Sequence, residues 1–311
     1  MRSAYRILAA FLLLLILILT ACGQNPAISQ PLINDSAGEK VQAFNTVGDL
    51  AVGANRYAFV LLGADGSEIR KAEVSVDFFF IDGDQAIPEG SAVAEYETMY
   101  VEIPHEHEDG ELHPHQEVHG FYVVREVNFN RAGKWGALVT IGPEAGDSVT
   151  KANLVFQVRE QSFTPAIGDL VPNGKTPVAN ADADLALLCS RIPPDDMHAI
   201  SIDQAVEEGR PFVVVFASPS FCRTRICGPV TELVNHVKAD YRDEVLFIHV
   251  EPYDLEALRS QGEFVLVKSA KQWGLPSEPW VFVVNGEGKL VDKFEGLFGE
   301  EEIRQAIQEA Y

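Results

Sequence analysis

The chain has 311 residues, enough for two domains of ordinary size, and a formal net charge of -22. That charge argues against nucleic acid as a partner, because a phosphate backbone selects basic surfaces. Beyond the N-terminus no stretch is apolar for the roughly 20 residues that a membrane-spanning helix needs.

At the N-terminus Arg2 and Arg6 precede an almost wholly apolar run from Ile7 to Leu19. That length suits the core of a signal peptide and is short for a spanning helix. The run ends Leu19-Thr20-Ala21-Cys22, which resembles the bacterial lipobox. The resemblance implies a signal peptide over 1–21, cleavage before Cys22, and lipid, palmitate included, on that cysteine. It implies a chain held at the cell membrane on its extracytoplasmic face, with the membrane as one partner. The alternative is an uncleaved anchor with an incidental cysteine. Residues 22–45 are polar, with Pro, Ser, Asn and Gly, and are expected to be a tether.

Residues 46–162 carry a β pattern. Apolar runs at Arg56–Gly63, Val74–Ile81, Ala92–Ile103, Gly120–Phe129, Trp135–Ile141 and Asn153–Val158 are separated by turns such as Asp65-Gly66 and Asp82-Gly83. Short strands without helical periodicity predict an antiparallel sandwich. The stretch GFYVVREVNFNRAGKWGALVTI, from Gly120, resembles small Ig-like domains of the copper-resistance and YtkA type. Residues 163–196, rich in Pro, Asn, Asp and Ala, are expected to be an interdomain linker.

From 197 to 311 strands alternate with helices. Helices are expected at Ile202–Glu208, Thr231–Tyr241, Phe264–Trp273 and Glu300–Ala310, and strands at Pro211–Ala217, Val245–Val250, Trp280–Val284 and Leu290–Phe294. Two parallel strands, a hairpin and a closing helix resemble the thioredoxin arrangement. The fold class expected is therefore mixed, an all-β Ig-like sandwich followed by an α/β thioredoxin-like domain.

Four cysteines are present. With Cys22 assigned to lipid, Cys189, Cys222 and Cys227 remain, in a space where disulfides persist. An odd number leaves one thiol unpaired, exchanging or bonded elsewhere. Cys222-Arg-Thr-Arg-Ile-Cys227-Gly-Pro229 follows a buried strand and precedes a helix. Backbone N–H groups at a helix start stabilise a thiolate, and Arg223 and Arg225 add positive charge. Cys227-Gly228-Pro229 resembles the start of the thioredoxin motif, and the segment also resembles a group of thioredoxin-like lipoproteins with FC…CGP. The match then fails, since Val230 stands where the second cysteine belongs and the spacing becomes Cys-x4-Cys. The resemblance implies Cys227 as nucleophile and Cys222 as resolving thiol, with the reverse order open. A permanent disulfide that only ties the loop is the alternative.

Glu278-Pro279-Trp280 stands before the third strand, where the resemblance implies a cis-proline, Pro279, facing the cysteines. Cys189 is either a packing residue or a third redox thiol. His249, in a buried strand, is expected to be a packed residue. Sco-type copper chaperones also pair two cysteines on a thioredoxin fold, but at Cys-x3-Cys.

His105, His107, His113, His115 and His119 fall within fifteen residues among interleaved acids. Such tracts are metal candidates, and imidazole suits copper and zinc. The alternative is a solvated acidic hairpin loop. Three readings follow: a thiol–disulfide oxidoreductase acting on extracytoplasmic thiol or disulfide proteins with no cofactor required; a metal-handling lipoprotein that holds copper or zinc; and a scaffold with a degenerate thioredoxin domain.

Overall fold

The computed structural model describes residues 41–106, 112–142, 149–179 and 185–311. The expected signal peptide, Cys22 and most of the expected tether lie outside the described residues, as does His107. Among the described residues no helix is long and apolar enough to cross a membrane.

The first half is all β. Its strands are β1 (Val41–Asn45), β2 (Leu50–Ala51), β3 (Gly53–Gly63), β4 (Val74–Asp82), β5 (Gln85–Glu106), β6 (Leu112–Phe129), β7 (Gly133–Ile141) and β8 (Thr150–Arg159). They form one eight-stranded sheet in the order β1-β3-β6-β5-β4-β7-β8-β2. All ladders are antiparallel except that of β2 with β8. β5 changes partner midway: Gln85–Ala94 pairs with β4 and Glu95–Glu106 with β6. β1 at one end approaches β8 near the other, so the sheet curls around its own core. That core is aromatic, with Tyr57, Phe59, Phe78, Tyr122, Phe129, Trp135 and Phe156 all buried. Trp135 reaches out of it to donate Nε1–H to the Arg131 carbonyl at 3.1 Å, so its one polar atom is satisfied.

The histidine tract is strand rather than loop up to its tip. β5 continues through His105 and β6 starts before His113, with His105 opposite His113 and His115 opposite Ile103. The last five residues of the expected tether form β1 and pair with β3.

The second half contains α1 (Leu185–Leu188), α2 (Ile202–Glu208), β9 (Phe212–Phe216), α3 (Cys227–Tyr241), β10 (Leu246–Val250), α4 (Leu255–Gln261), α5 (Lys268–Gln272), β11 (Trp280–Val284), β12 (Leu290–Glu295) and α6 (Glu300–Glu309). The sheet order is β10-β9-β11-β12, with β9 and β10 parallel and β11 antiparallel to both neighbours. This is the β-α-β, then hairpin, then helix order of a thioredoxin-like fold. Every residue of β9 and β11 is buried, as their unbroken apolar runs require. Of the helix expected at Phe264–Trp273 only Lys268–Gln272 is helical, and α4 before it was not expected. Asp254 caps α4 by accepting from Glu256 N and Ala257 N at 2.9 and 3.0 Å, and Gly262 ends it in the left-handed region at φ 70°. Residues 263–267 are then extended, and Leu266 bridges to Tyr253.

The two halves share a core. Residues alternate along β6, so Tyr122 and Val124 face the aromatic interior while Phe121 and Val123 face α3 and α6. Ala58 and Met99 join the second group beside Val230, Leu233, Val234, Ile303 and Ile307. Arg56 seals this seam with a forked ion pair to Glu302, at 2.7 Å from Nε and 2.9 Å from Nη2, and donates to the Leu297 carbonyl at 3.0 Å. Lys293 reaches Ser162, Thr164 and the Pro165 carbonyl, so the start of the 163–196 stretch lies bonded across the second sheet.

Candidate active site

β9 ends at Phe216, and the chain turns through Ala217–Ile226 into α3. The expected pair stands here: Cys222 and Cys227 form a disulfide, with Cα atoms 5.9 Å apart. Arg225 makes the return possible by taking a left-handed φ of 64°, which a non-glycine residue rarely adopts.

α3 has no side-chain cap at Ile226. Its first N–H, from Cys227, points instead at Cys222 Sγ at 3.3 Å, and Thr224 Oγ1 lies 3.2 Å from the same sulfur. The helix-start stabilisation expected from the sequence therefore falls on Cys222. Burial separates the two residues further. Cys222 is half-buried, whereas Cys227 is fully buried and packs in the shared core with Val230 and Leu233.

The Glu278–Pro279 peptide is cis, and Pro279 is buried ahead of β11. The sequence singled out Pro279 but not its neighbour. Glu278 carries a carboxylate oxygen within 4.8 Å of both sulfurs. Its Oε2 accepts the Ser218 N–H at 2.8 Å. Burial, reinforced by the nearby Glu251 charge and only partly offset by Ser218 and Arg223, pushes its pKa up to about 7. A carboxyl that titrates near neutrality beside a disulfide can give or take the proton of a sulfur.

An aromatic and basic rim flanks the pair. The Arg223 guanidinium lies 4.3 Å over the Phe264 ring, which meets Tyr253 edge-on at 5.1 Å. Arg223 and Arg225 are both exposed, as their proposed electrostatic role requires. Burial, with the Glu278 charge, pushes the Tyr253 hydroxyl up to about 12.

Cys189 is free and buried, away from this surface. Its neighbour Ser190 accepts from Ser220 N at 3.2 Å, so the segment backs onto the loop that carries the disulfide. His119 is tied to Glu117 at 3.0 Å. The sequence offered no signal for Glu278 beyond its place before Pro279, because its altered acidity arises from burial in the fold and from the charge of Glu251, distant in the chain.

No family model matches the chain, and no characterised protein matches it in sequence. Among solved structures it is similar to a thiol:disulfide interchange protein of the thioredoxin family from Chlorobium tepidum TLS, at 13% identity and a TM-score of 0.29. That likeness covers 47% of this chain and 98% of the other. A family 123 glycoside hydrolase from Clostridium perfringens is similar at 10% identity and a TM-score of 0.22, over 36% of this chain and 22% of that one. At such scores a likeness says nothing of function.

Proposed function

We propose that the chain is a membrane-tethered, extracytoplasmic thiol–disulfide oxidoreductase that works through Cys222 and Cys227. The observation that carries this is the Cys222–Cys227 disulfide at the start of α3, with the Glu278 carboxylate within 4.8 Å of both sulfurs. Lipid on Cys22, supported by the lipobox resemblance, would hold the chain at the membrane. The curled β half, in this reading an Ig-like domain, would present the pair to protein substrates.

Exposure supports the order that the motif left open, with Cys222 as nucleophile and Cys227 as resolving thiol. Cys222 is the sulfur that a partner can reach, and the Cys227 N–H stabilises its thiolate. In the reducing direction the Cys222 thiolate attacks a substrate disulfide, forms a mixed disulfide and expels one substrate thiolate. Glu278 takes the Cys227 proton, and the Cys227 thiolate attacks Cys222 Sγ and releases the second substrate sulfur. Two electrons pass to the substrate, the protein disulfide reforms, and the released sulfurs take up two protons. The oxidising direction is the same sequence reversed, with Glu278 protonating Cys227 as it leaves.

Trapping tests the assignment. Cys227→Ser should accumulate mixed disulfides through Cys222, and Cys222→Ser should accumulate none. Equal trapping by both variants, or none by either, would remove the proposal.

A second reading keeps the metal-handling alternative. Reduced Cys222 and Cys227 with Glu278 form a three-donor group for copper or zinc, and the register sets His105 opposite His113 on neighbouring strands. Copper(I) bound by the reduced chain and lost in Cys222→Ser would favour it.

A further inference from the structure

A second cluster lies behind the disulfide loop, and thiol exchange makes no use of it. It draws Cys189, Asp195 and His198 from one segment and His249 from β10. The segment runs along the free edge of β10, with the His249 N–H donating to the Met197 carbonyl at 2.7 Å. The four residues are 2%, 4%, 3% and 2% exposed.

The donor atoms converge. Cys189 Sγ lies 3.5 Å from Asp195 Oδ2 and 3.8 Å from His249 Nδ1. His198 Nε2 lies 3.5 Å from Asp195 Oδ1, yet it is buried without a hydrogen bond. His249 Nδ1 and Asp195 Oδ2 are 2.8 Å apart, and the four donors all lie within 4.8 Å of one another. Zinc bonds of about 2.0 Å to N or O and about 2.3 Å to S place tetrahedral ligands about 3.3–3.7 Å apart. Most of the observed separations already stand near that edge, and the histidine–carboxylate contact would open modestly.

The surrounding bonds orient the donors. His249 Nε2 lies 3.0 Å from the Ala217 carbonyl, a bond in which the ring N–H donates and Nδ1 is left for a ligand role. Asp195 Oδ1 accepts the Met197 N–H at 3.0 Å, which leaves Oδ2 toward Cys189 and His249. The Cys189 carbonyl accepts from Arg259 at 3.1 Å.

Charge is the remaining argument. Burial disfavours an isolated charge on either Asp195 or His249, and their 2.8 Å contact pairs the two. The result is a buried ion pair beside a thiol and an unbonded ring nitrogen, and such a nitrogen costs about 1–3 kcal/mol. A divalent ion with one thiolate, one carboxylate and two neutral imidazoles sums to zero, the arrangement burial tolerates best.

We propose that Cys189, Asp195, His198 and His249 form a closed tetrahedral site for a zinc-type divalent ion, packed against the loop that carries the Cys222–Cys227 disulfide. Binding breaks the Cys189 S–H and His249 Nδ1–H bonds, sends two protons to solvent and changes no oxidation state. Cys189 is then a metal ligand rather than a third redox thiol. The site is structural, because all four positions are filled by protein.

Cobalt(II) is the test probe, added to the chelator-stripped full chain in detergent. The chain carries Cys22→Ser and glutamine at the five tract histidines, with the disulfide kept oxidised, so Cys189 is its one free thiol. One cobalt per chain should bind with a thiolate-to-cobalt charge-transfer band and intense tetrahedral visible bands, and zinc should displace it. Cys189→Ser should abolish the charge-transfer band, and His198→Gln should weaken binding about 10- to 100-fold. Absent binding, or binding without a charge-transfer band, would overturn the site. If Cys189→Ser fails to fold, the parent band and the His198→Gln affinity decide, since in this background the thiolate can only be Cys189. Because the disulfide stays closed, failure here is distinct from failure of thiol exchange.

Discussion

At the scale of single residues, the proposed division of labour between Cys222 and Cys227 rests on where one backbone N–H points. The motif placed both sulfurs at a helix start, and the fold gives the first N–H to Cys222 while sealing Cys227 in apolar packing. Glu278 adds the proton chemistry. Its folded pKa of about 7 lies above its unfolded value, so the folded chain binds that proton more tightly. The associated stability is present below the unfolded pKa and is lost as pH rises through about 7. Against Glu278→Gln, the wild type should therefore lose about 2–3 kcal/mol of relative stability across that window, read by urea denaturation at stepped pH. The same variant should slow resolution of a mixed disulfide about 100-fold and flatten its pH profile near neutrality. Parallel denaturation curves and an unchanged profile would remove Glu278 from the chemistry. Cys222, Cys227 and Pro279 were legible in the sequence because they sit in short local patterns. Glu278 and the Cys189–Asp195–His198–His249 cluster were not, because side chains far apart in the chain produce their properties.

At the scale of elements, the sequence showed most of the second half because its periods are clean. The unbroken apolar runs of β9 and β11 could only be strands buried on both faces, and they are. Between β10 and β11 the helix expected from Phe264 starts only at Lys268, and α4 was not expected. The capping signal at Asp254 and the stop at Gly262 were present, but the apolar residues Phe264–Val267 masked the extended break between two helices. The turn after α5 carries a tighter requirement. Gly274 has φ 67°, and an added methyl would overlap the Phe163 carbonyl, where the 163–196 stretch crosses. Gly274→Ala should cost about 2 kcal/mol or more in denaturant unfolding. A cost near zero would mean that this crossing is not held as described. The histidine tract shows the opposite difficulty: its polar composition read as a loop, yet ladder pairing extends β5 and β6 into it.

At the scale of the molecule, the β half and the α/β half pack through a shared core. One apolar cluster runs from Ala58, Met99, Phe121 and Val123 into α3 and α6. The sequence carried a trace of this in Gly120-Phe-Tyr-Val-Val124, an apolar run without alternation, as expected of a strand buried on both faces. α3, whose first turn holds Cys227, is thereby gripped from both sides. Arg56→Ala leaves the buried Glu302 with only the longer Arg125 contact at 3.6 Å and the Gly299 N–H, and should cost about 3 kcal/mol. Both halves should unfold in a single transition, followed by tryptophan fluorescence and circular dichroism together. Two separated transitions would contradict a shared core.

Thiol exchange through this pair depends most directly on which sulfur a partner can reach. Mass spectrometry of the full chain after brief exposure to a model disulfide measures this, with Cys227→Ser and Cys222→Ser compared at matched fold. The account predicts adducts on Cys222 in Cys227→Ser, formed at least tenfold faster than any on Cys227 in Cys222→Ser. Equal rates, or faster modification of Cys227, would contradict it.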